Sequence, residues 1–323
     1  MNLDLLISNV TNPAFLFFIL GIIAVKLKSD LEIPANSSKF ISLYLLFSIG
    51  FKGGQELSHE TFTSEIAWSM LFGIALSLLI PLYTFFILKR KLNIYDAAAI
   101  AAAYGSVSAV TFVTAVSYLD IQKLQLHGHM VAIMALMESP AIIAGLILMS
   151  IFNKEDTDRV KPLSVIKHSL TNGSVLLILG SLVIGLLANA KQAEGIKPFT
   201  NDIFKGFLAI FLLDMGIVSG RKLSSFTNNG WFPLLFAILI PLINGSVVAF
   251  LSSYITDDVA NRFMFAVLAA SASYIAVPAA MKIAVPKANP GLFLPMALAI
   301  TFPLNITIGM PLYLDRKSTR LNS

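Results

Sequence analysis

The chain has 323 residues, of which 56% are hydrophobic and 13% charged, against about 25% charged residues in an average soluble domain. This composition predicts an integral membrane protein. The formal net charge of +5 reflects lysines and arginines in loops, and no basic groove with interleaved aromatics suggests nucleic-acid binding. Cysteine is absent, which excludes disulfides, thiolate metal sites and a cysteine nucleophile.

An apolar run of about 20 residues can span a bilayer, and we predict ten such spans. They lie at 12–27, 38–54, 66–88, 96–117, 128–152, 171–190, 203–220, 231–254, 260–281 and 290–314. The charged stretch 153–167 falls near the midpoint and predicts a linker between two units, 1–152 and 168–314. Residues 315–323, DRKSTRLNS, resemble a translated sequencing adapter, and we exclude them from the fold as an assembly artefact.

The two halves share a pattern of residues at a spacing of 160 to 166 positions. Recurring positions include Gly50 with Gly216, Trp68 with Trp231, Pro81 with Pro241, Ser106 with Ser271, and Ser108 with Ser273. Because five spans per half is an odd number, the second copy enters the membrane from the opposite side. The predicted fold is therefore an all-α membrane protein of ten helices, arranged as two inverted five-helix repeats.

Basic residues in the loops predict the orientation, because cytoplasmic loops carry an excess of Lys and Arg. The first, third, fifth, seventh and ninth loops together carry 14 basic residues, and the opposite side carries 6. Both termini are thus expected outside the cytoplasm and the 153–167 linker inside it. We place the protein in the bacterial inner membrane.

The fourth and ninth spans are interrupted by small polar residues at their centres. Gly105 to Ser108 interrupt the fourth span, and Ser271-Ala272-Ser273 followed by Pro278 interrupt the ninth. Paired interruptions in two halves point to a transporter's substrate site, although small residues can also simply let helices pack closely. The candidate substrate-binding residues are Gly105, Ser106, Ser108, Thr111, Ser271 and Ser273.

Two acidic residues lie within spans, where a charge is costly and usually functional. Glu138 precedes Pro140 in the fifth span, and we interpret it with Ser139 as a cation-binding pair; the alternative is a protonated or hydrogen-bonded structural Glu. Asp214, in the seventh span, is either a second cation ligand or a residue at the helix mouth in contact with water.

The sequence gives less support to a metal site, to a hydrolase or to transport driven by ATP. His127 and His129 flank Gly128, but H-x-H without a third ligand favours an interfacial pair over a metal site. Residues 105–109 lack the last glycine of G-x-S-x-G, so no serine hydrolase is expected, and no catalytic residue is assigned. A phosphate-binding G-x-x-x-x-G-K-[ST] motif is also missing, which argues against transport driven by ATP on this chain.

Four segments resemble the sodium-dependent bicarbonate transporter family known from cyanobacteria. They are AAYGSVSAVTFVTA at 102–115, MESPAIIAG at 137–145, GFLAIFLLDMG at 206–216 and AASASYIAVPAAMKIAVPKANP at 269–290. The resemblance implies ten spans in an inverted repeat, a homotrimer, and uptake of bicarbonate with sodium as a bundle moves against a scaffold. For cyanobacterial members it also implies control by a soluble PII-type protein.

The chain departs from this family at three places. Tyr274 stands where the family has an acidic residue, Asp214 stands where the family is apolar, and the 153–167 linker is shorter. We therefore expect a divergent secondary transporter that takes up a small anion, bicarbonate first, by sodium symport, with no cofactor besides the coupling ion. The alternatives are a sodium-coupled organic-acid symporter and an anion sensor that does not transport.

Overall fold

The computed structural model describes residues 13–153, 173–226 and 230–314, and these residues form helices and connecting turns with no strand. The helices are α1 (Pro13–Lys26), α2 (Ala35–His59), α3 (Ser64–Leu88), α4 (Ile94–Gly105), α5 (Ala109–Ile121), α6 (Gly128–Phe152), α7 (Gly173–Leu187), α8 (Ala190–Lys197), α9 (Phe204–Phe226), α10 (Trp231–Leu251), α11 (Val259–Ala270), α12 (Ala276–Ala284) and α13 (Pro290–Tyr313). Apart from Asn153, the predicted linker at 153–167 lies outside the described residues, as does the 315–323 segment.

Six helical stretches of the described chain are long and apolar enough to cross a membrane. They are Ser64–Leu88, Ile94–Ile121, Gly128–Phe152, Ala190–Lys222, Trp231–Tyr254 and Pro290–Tyr313. Three shorter apolar helices are Phe15–Lys26, Leu176–Leu187 and Val259–Ala270. The protein is thus a multi-pass helical membrane protein.

Two of the predicted spans are each divided into two helices. The predicted span 96–117 becomes α4 and α5, with residues 106–108 between them, and 260–281 becomes α11 and α12, with 271–275 between them. The first half-helix of each pair begins in the same way, because the Asn93 and Asp258 side chains accept the backbone N–H of Asp96 and Asn261, at 2.8 and 2.7 Å. The interruption that the sequence predicts is present at both places.

The packing of the helices is symmetric with respect to the two halves. Helix α1 packs against α9, and α2 packs against α7. Around the divided helices, α3, α4 and α6 pack together in the first half, and α10, α11 and α13 in the second. Between the two halves, α4 contacts α12 and α5 contacts α11.

Glycines make the two outer helix pairs possible. A methyl group on Gly21 of α1 would collide with the backbone of α9 near Gly216, and one on Gly54 of α2 would collide with the backbone of α7 near Gly185. Small residues let backbones approach this closely in membranes, where there is no hydrophobic force between helices.

The divided pair α4–α5 is the centre of the molecule. In its most apolar stretch 89% of the residues are buried inside the protein, against 39% for α10. Because α4 and α5 are enclosed by other helices, polar groups at their interruption are shielded from lipid. This placement is the one in which irregular backbone is tolerated at membrane depth.

Candidate functional site

The two interruptions lie against each other and are joined by hydrogen bonds. The backbone N–H of Ser108 donates to the Ser271 hydroxyl at 3.0 Å, and the backbone N–H of Ser273 donates to the carbonyl of Ala103 at 2.8 Å. Each interruption thus satisfies backbone groups that the other leaves without a helical partner.

Serine hydroxyls also accept backbone N–H groups at the start of the second half-helix of each pair. The Ser108 hydroxyl accepts the backbone N–H of Thr111 at 3.2 Å, and the Ser273 hydroxyl accepts that of Val277 at 3.4 Å. The first contact is an N-cap, in which a side chain replaces the missing helical acceptor. Both serines therefore sit at the N-terminal ends of α5 and α12.

A small cavity lies where these N-terminal ends meet α2, α6 and α7. Its lining residues are Leu46, Val107, Ser108, Ala109, Met134, Glu138, Ile178, Ser273, Tyr274, Ile275 and Ala276. The volume is about 20 Å³, on a scale where one water molecule needs about 10–15 Å³. The cavity therefore holds one or two water-sized groups in this conformation.

Three of the predicted site residues share this cavity, namely Ser108, Ser273 and Glu138. Among the described residues, the Glu138 carboxylate has no ion-pair or hydrogen-bond partner within normal distance. A carboxylate near the middle of a span without a protein partner is the arrangement expected of a residue that binds a cation.

Other predicted substrate residues lie beside the cavity and do not line it. Ser271 uses its hydroxyl to accept from Ser108 and to donate to the Leu268 carbonyl at 2.9 Å, and Thr111 gives its backbone N–H to Ser108. Ser106 is fully buried, and its hydroxyl has no hydrogen-bond partner within the described chain.

Gly105 is a packing residue in this structure. A methyl group at Gly105 would collide with the ring of Pro81 on α3. The absence of a side chain lets α3 pass close to the end of α4, which is a reason for glycine that involves no ligand.

Two predicted cation-binding residues are not brought to the cavity lining. Ser139 follows Glu138 on α6 but is not among the lining residues. Asp214, on α9, is buried and accepts a short hydrogen bond from the Ser38 hydroxyl at the start of α2. The structure therefore pairs Asp214 with α2 and gives it no contact with Glu138.

The sequence analysis noted Tyr274 only as a departure from the family, and it missed Asn244 and Asn305 near the site. Tyr274 lines the cavity, and its buried hydroxyl lies next to the Ser108 side chain without a hydrogen bond of normal geometry. Asn305 donates to the Ala270 carbonyl at 2.7 Å, and Asn244 donates to the Ala269 carbonyl at 3.3 Å. Both asparagines thus bind carbonyls at the C-terminal end of α11. Asparagine within an apolar span is the signal that could have found them.

A comparison with known families matches residues 13–317 to the Na+-dependent bicarbonate transporter superfamily. The chain belongs to this superfamily. No curated protein matches the sequence. The match covers all described residues and extends into the 315–323 segment.

Membership of the Na+-dependent bicarbonate transporter superfamily makes the chain a transporter in the membrane rather than an enzyme. The superfamily also suggests bicarbonate and sodium as the transported species.

Proposed function

We propose that the protein takes up bicarbonate together with sodium through the cavity between the two interrupted helices. The observation that carries this proposal is the convergence of Ser108, Ser273 and Glu138 on one cavity, at the point where two helix interruptions hydrogen-bond to each other. Hydroxyl donors and a carboxylate at one site suit an anion and a cation that move together.

The anion would bind at the N-terminal ends of α5 and α12. Each end carries about half a positive charge and backbone N–H groups without helical acceptors. Ala109 and Ala276 begin these helices, and both line the cavity. The hydroxyls of Ser108 and Ser273 add donors for bicarbonate oxygens once they rotate.

The cation would bind at Glu138, which lines the same cavity. Sodium needs oxygen ligands, and a carboxylate without a protein partner supplies one together with charge. Tyr274 lines the cavity at the position where the family resemblance implies an acidic residue, and Glu138 is the acidic residue among the described lining residues. One cation and one bicarbonate would neutralise each other in this low-dielectric site.

The arrangement of helices supports alternating access by two inverted repeats of five spans. The cavity lies between α2 and α7, which pack against each other, and the bundle that holds the interrupted helices. The first span of each half packs against the second span of the other half, as α1 with α9 and α7 with α2. Two inverted repeats would produce such reciprocal pairs. Movement of the bundle against these outer pairs would open the cavity first to one side and then to the other. We carry the homotrimer over from the family resemblance alone.

Uptake of radiolabelled bicarbonate into proteoliposomes, with and without an inward sodium gradient, tests the proposal. We expect uptake to require sodium and to fall at least tenfold in Ser273→Ala. Sodium-independent uptake would contradict the coupling. If a monocarboxylate inhibits uptake more strongly than unlabelled bicarbonate does, the substrate is an organic acid. If the protein binds bicarbonate tightly but shows no flux, it is a sensor.

A further inference from the structure

A second cluster of chemically active side chains lies at one end of the bundle, away from the cavity. Glu60, at the end of α2, contacts His127 and His129 at the start of α6. The Glu60 Oε2 atom lies 2.8 Å from Nδ1 of His129, and Oε1 lies 3.4 Å from Nδ1 of His127. The carboxylate therefore stands between two imidazole nitrogens.

These three side chains have the spacing of a metal site. One ligand atom from each residue lies within 4.8 Å of the others. Ligand atoms bound to one tetrahedral zinc ion are about 3.3 Å apart, given Zn–N and Zn–O bonds near 2.0–2.1 Å. Small side-chain rotations would therefore bring the three atoms onto one ion.

The surroundings of the cluster also fit a bound cation. His129 is buried, with 4% of its side chain exposed, and its Nδ1 atom faces the Glu60 carboxylate. On the far side of His127, Nε2 lies 3.6 Å from the Asp258 carboxylate. A carboxylate behind a ligating histidine fixes the ring so that its other nitrogen faces the metal.

We propose that Glu60, His127 and His129 bind a divalent transition-metal cation of the zinc type. Two imidazoles and one carboxylate suit zinc and its neighbours in the first transition series. Sodium, magnesium and calcium prefer all-oxygen sites, so this site differs in chemistry from the one at Glu138. His127, 35% exposed, leaves a route for the ion and a position for a water ligand.

This step rests on the proposed function: if the bundle moves against the outer helix pairs, the site would connect α2 of an outer pair with α6 of the bundle. Glu60 ends α2, which packs against α7, whereas both histidines begin α6, which packs against α3 and α4. A metal ion bound to all three would hold these parts at a fixed distance. We therefore expect zinc to slow the transport cycle as well as to stabilise the protein.

Calorimetric titration of the purified full-length protein in detergent tests the site. Zinc chloride is titrated at pH 8, because the neighbouring Asp258 carboxylate raises the pKa of His127 and a proton competes with the metal. We expect one saturable zinc ion per chain and no comparable signal with magnesium chloride. Absence of saturable zinc binding would overturn the proposal.

Variants identify the ligands. Glu60→Gln and His129→Gln should weaken zinc binding by more than the about 10–100-fold expected for loss of an outer-shell partner in Asp258→Asn. His59→Gln is the matched control, because His59 is exposed and adjacent to Glu60. Binding that survives in Glu60→Gln and His129→Gln, or that falls equally in His59→Gln, would place the metal elsewhere.

A measurement on the unchanged protein avoids any doubt about folding of the variants. X-ray absorption at the zinc edge should show imidazole scattering in the first shell near 2.0–2.1 Å. A first shell without imidazole would overturn the assignment. Neither measurement uses bicarbonate, so both outcomes are independent of the uptake assay.

Discussion

Two serines of the first interruption differ in what their hydroxyls do, although they are only two positions apart. The Ser108 hydroxyl caps α5 and lines the cavity, whereas the Ser106 hydroxyl is buried without a partner in the described chain. The stability and the activity of alanine variants should therefore separate a structural role from a binding role.

We expect Ser108→Ala to lower the free energy of unfolding by about 1 kcal/mol, because it removes an N-cap. Ser106→Ala should leave stability unchanged or raise it, since no hydrogen bond is lost and a buried unsatisfied group disappears. Thermal unfolding in detergent measures both. A loss in Ser106→Ala as large as in Ser108→Ala would show that the Ser106 hydroxyl has a partner that the structure does not contain.

Glu138 supplies the second prediction at this scale. The unfolding temperature of the unchanged protein should rise when sodium chloride replaces choline chloride, because binding stabilises the folded state. In Glu138→Gln this sodium-dependent rise should vanish, and the sodium-free protein should be no less stable, since an unpaired carboxylate within a span costs about 3 kcal/mol.

Glu65→Gln controls for loss of charge, because Glu65 is exposed at the start of α3. Its sodium response should equal that of the unchanged protein. If Glu138→Gln keeps the full response, sodium binds elsewhere.

At the scale of elements, Gly180 and Gly185 of α7 lie in different surroundings. A methyl group on Gly185 would collide with the carbonyl of Phe51 on α2, whereas nothing lies within 4 Å of the corresponding position at Gly180. The Gln55 side chain also donates to carbonyls of Gly185 and Ala188, the latter at 2.9 Å, and so fixes the end of α7 against α2.

Gly185→Ala should therefore destabilise the protein by about 1–3 kcal/mol through overpacking. Gly180→Ala should stabilise it by about 0.5–1 kcal/mol, because alanine is the better residue within a helix. Thermal unfolding of the two variants in one detergent gives the comparison. Equal behaviour of the two would mean that α2 and α7 are not in close contact.

The interruptions themselves were predictable from the sequence, because similar small polar residues occur at corresponding positions of the two halves. Their contact was expected only through the repeat, and the structure brings them together with two hydrogen bonds. What could not be predicted is which member of each serine pair faces the cavity, since this depends on where α4 and α11 end. The packing reason for Gly105 depends on Pro81, which is distant in sequence.

The cluster at Glu60 was even less predictable from the sequence. His127 and His129 were visible as a pair, but the carboxylate between them lies on another helix. Asp258 comes from a third element, far along the chain. Only the packing of α2, α6 and α11 at one end of the bundle brings these groups together, and spacing along one segment carries no information about it.

At the scale of the whole molecule, the basic loops predict which end faces the cytoplasm. The chain contains no cysteine, so single cysteines can be introduced without background. Thr61→Cys and Asp257→Cys, in exposed turns after α2 and before α11, should react with an impermeant maleimide in intact cells. Lys28→Cys and Lys91→Cys, in exposed turns after α1 and α3, should react only after permeabilisation.

The opposite labelling pattern would invert the orientation. Mixed labelling of one pair would contradict the predicted number of crossings between those turns. With the predicted orientation, the Glu60 cluster faces the outside of the cell, where it meets metal ions from the medium.

The small size of the cavity has a consequence for the ion itself. A space of about 20 Å³, against about 10–15 Å³ for one water molecule, cannot admit an anion together with its hydration shell. Bicarbonate has four non-hydrogen atoms and would share the site with sodium, so the cavity must widen during transport, and an entering ion then exchanges water for hydroxyls and backbone N–H groups. Discrimination among anions then depends on how well the hydroxyl and backbone N–H groups of the lining replace each ion's solvation.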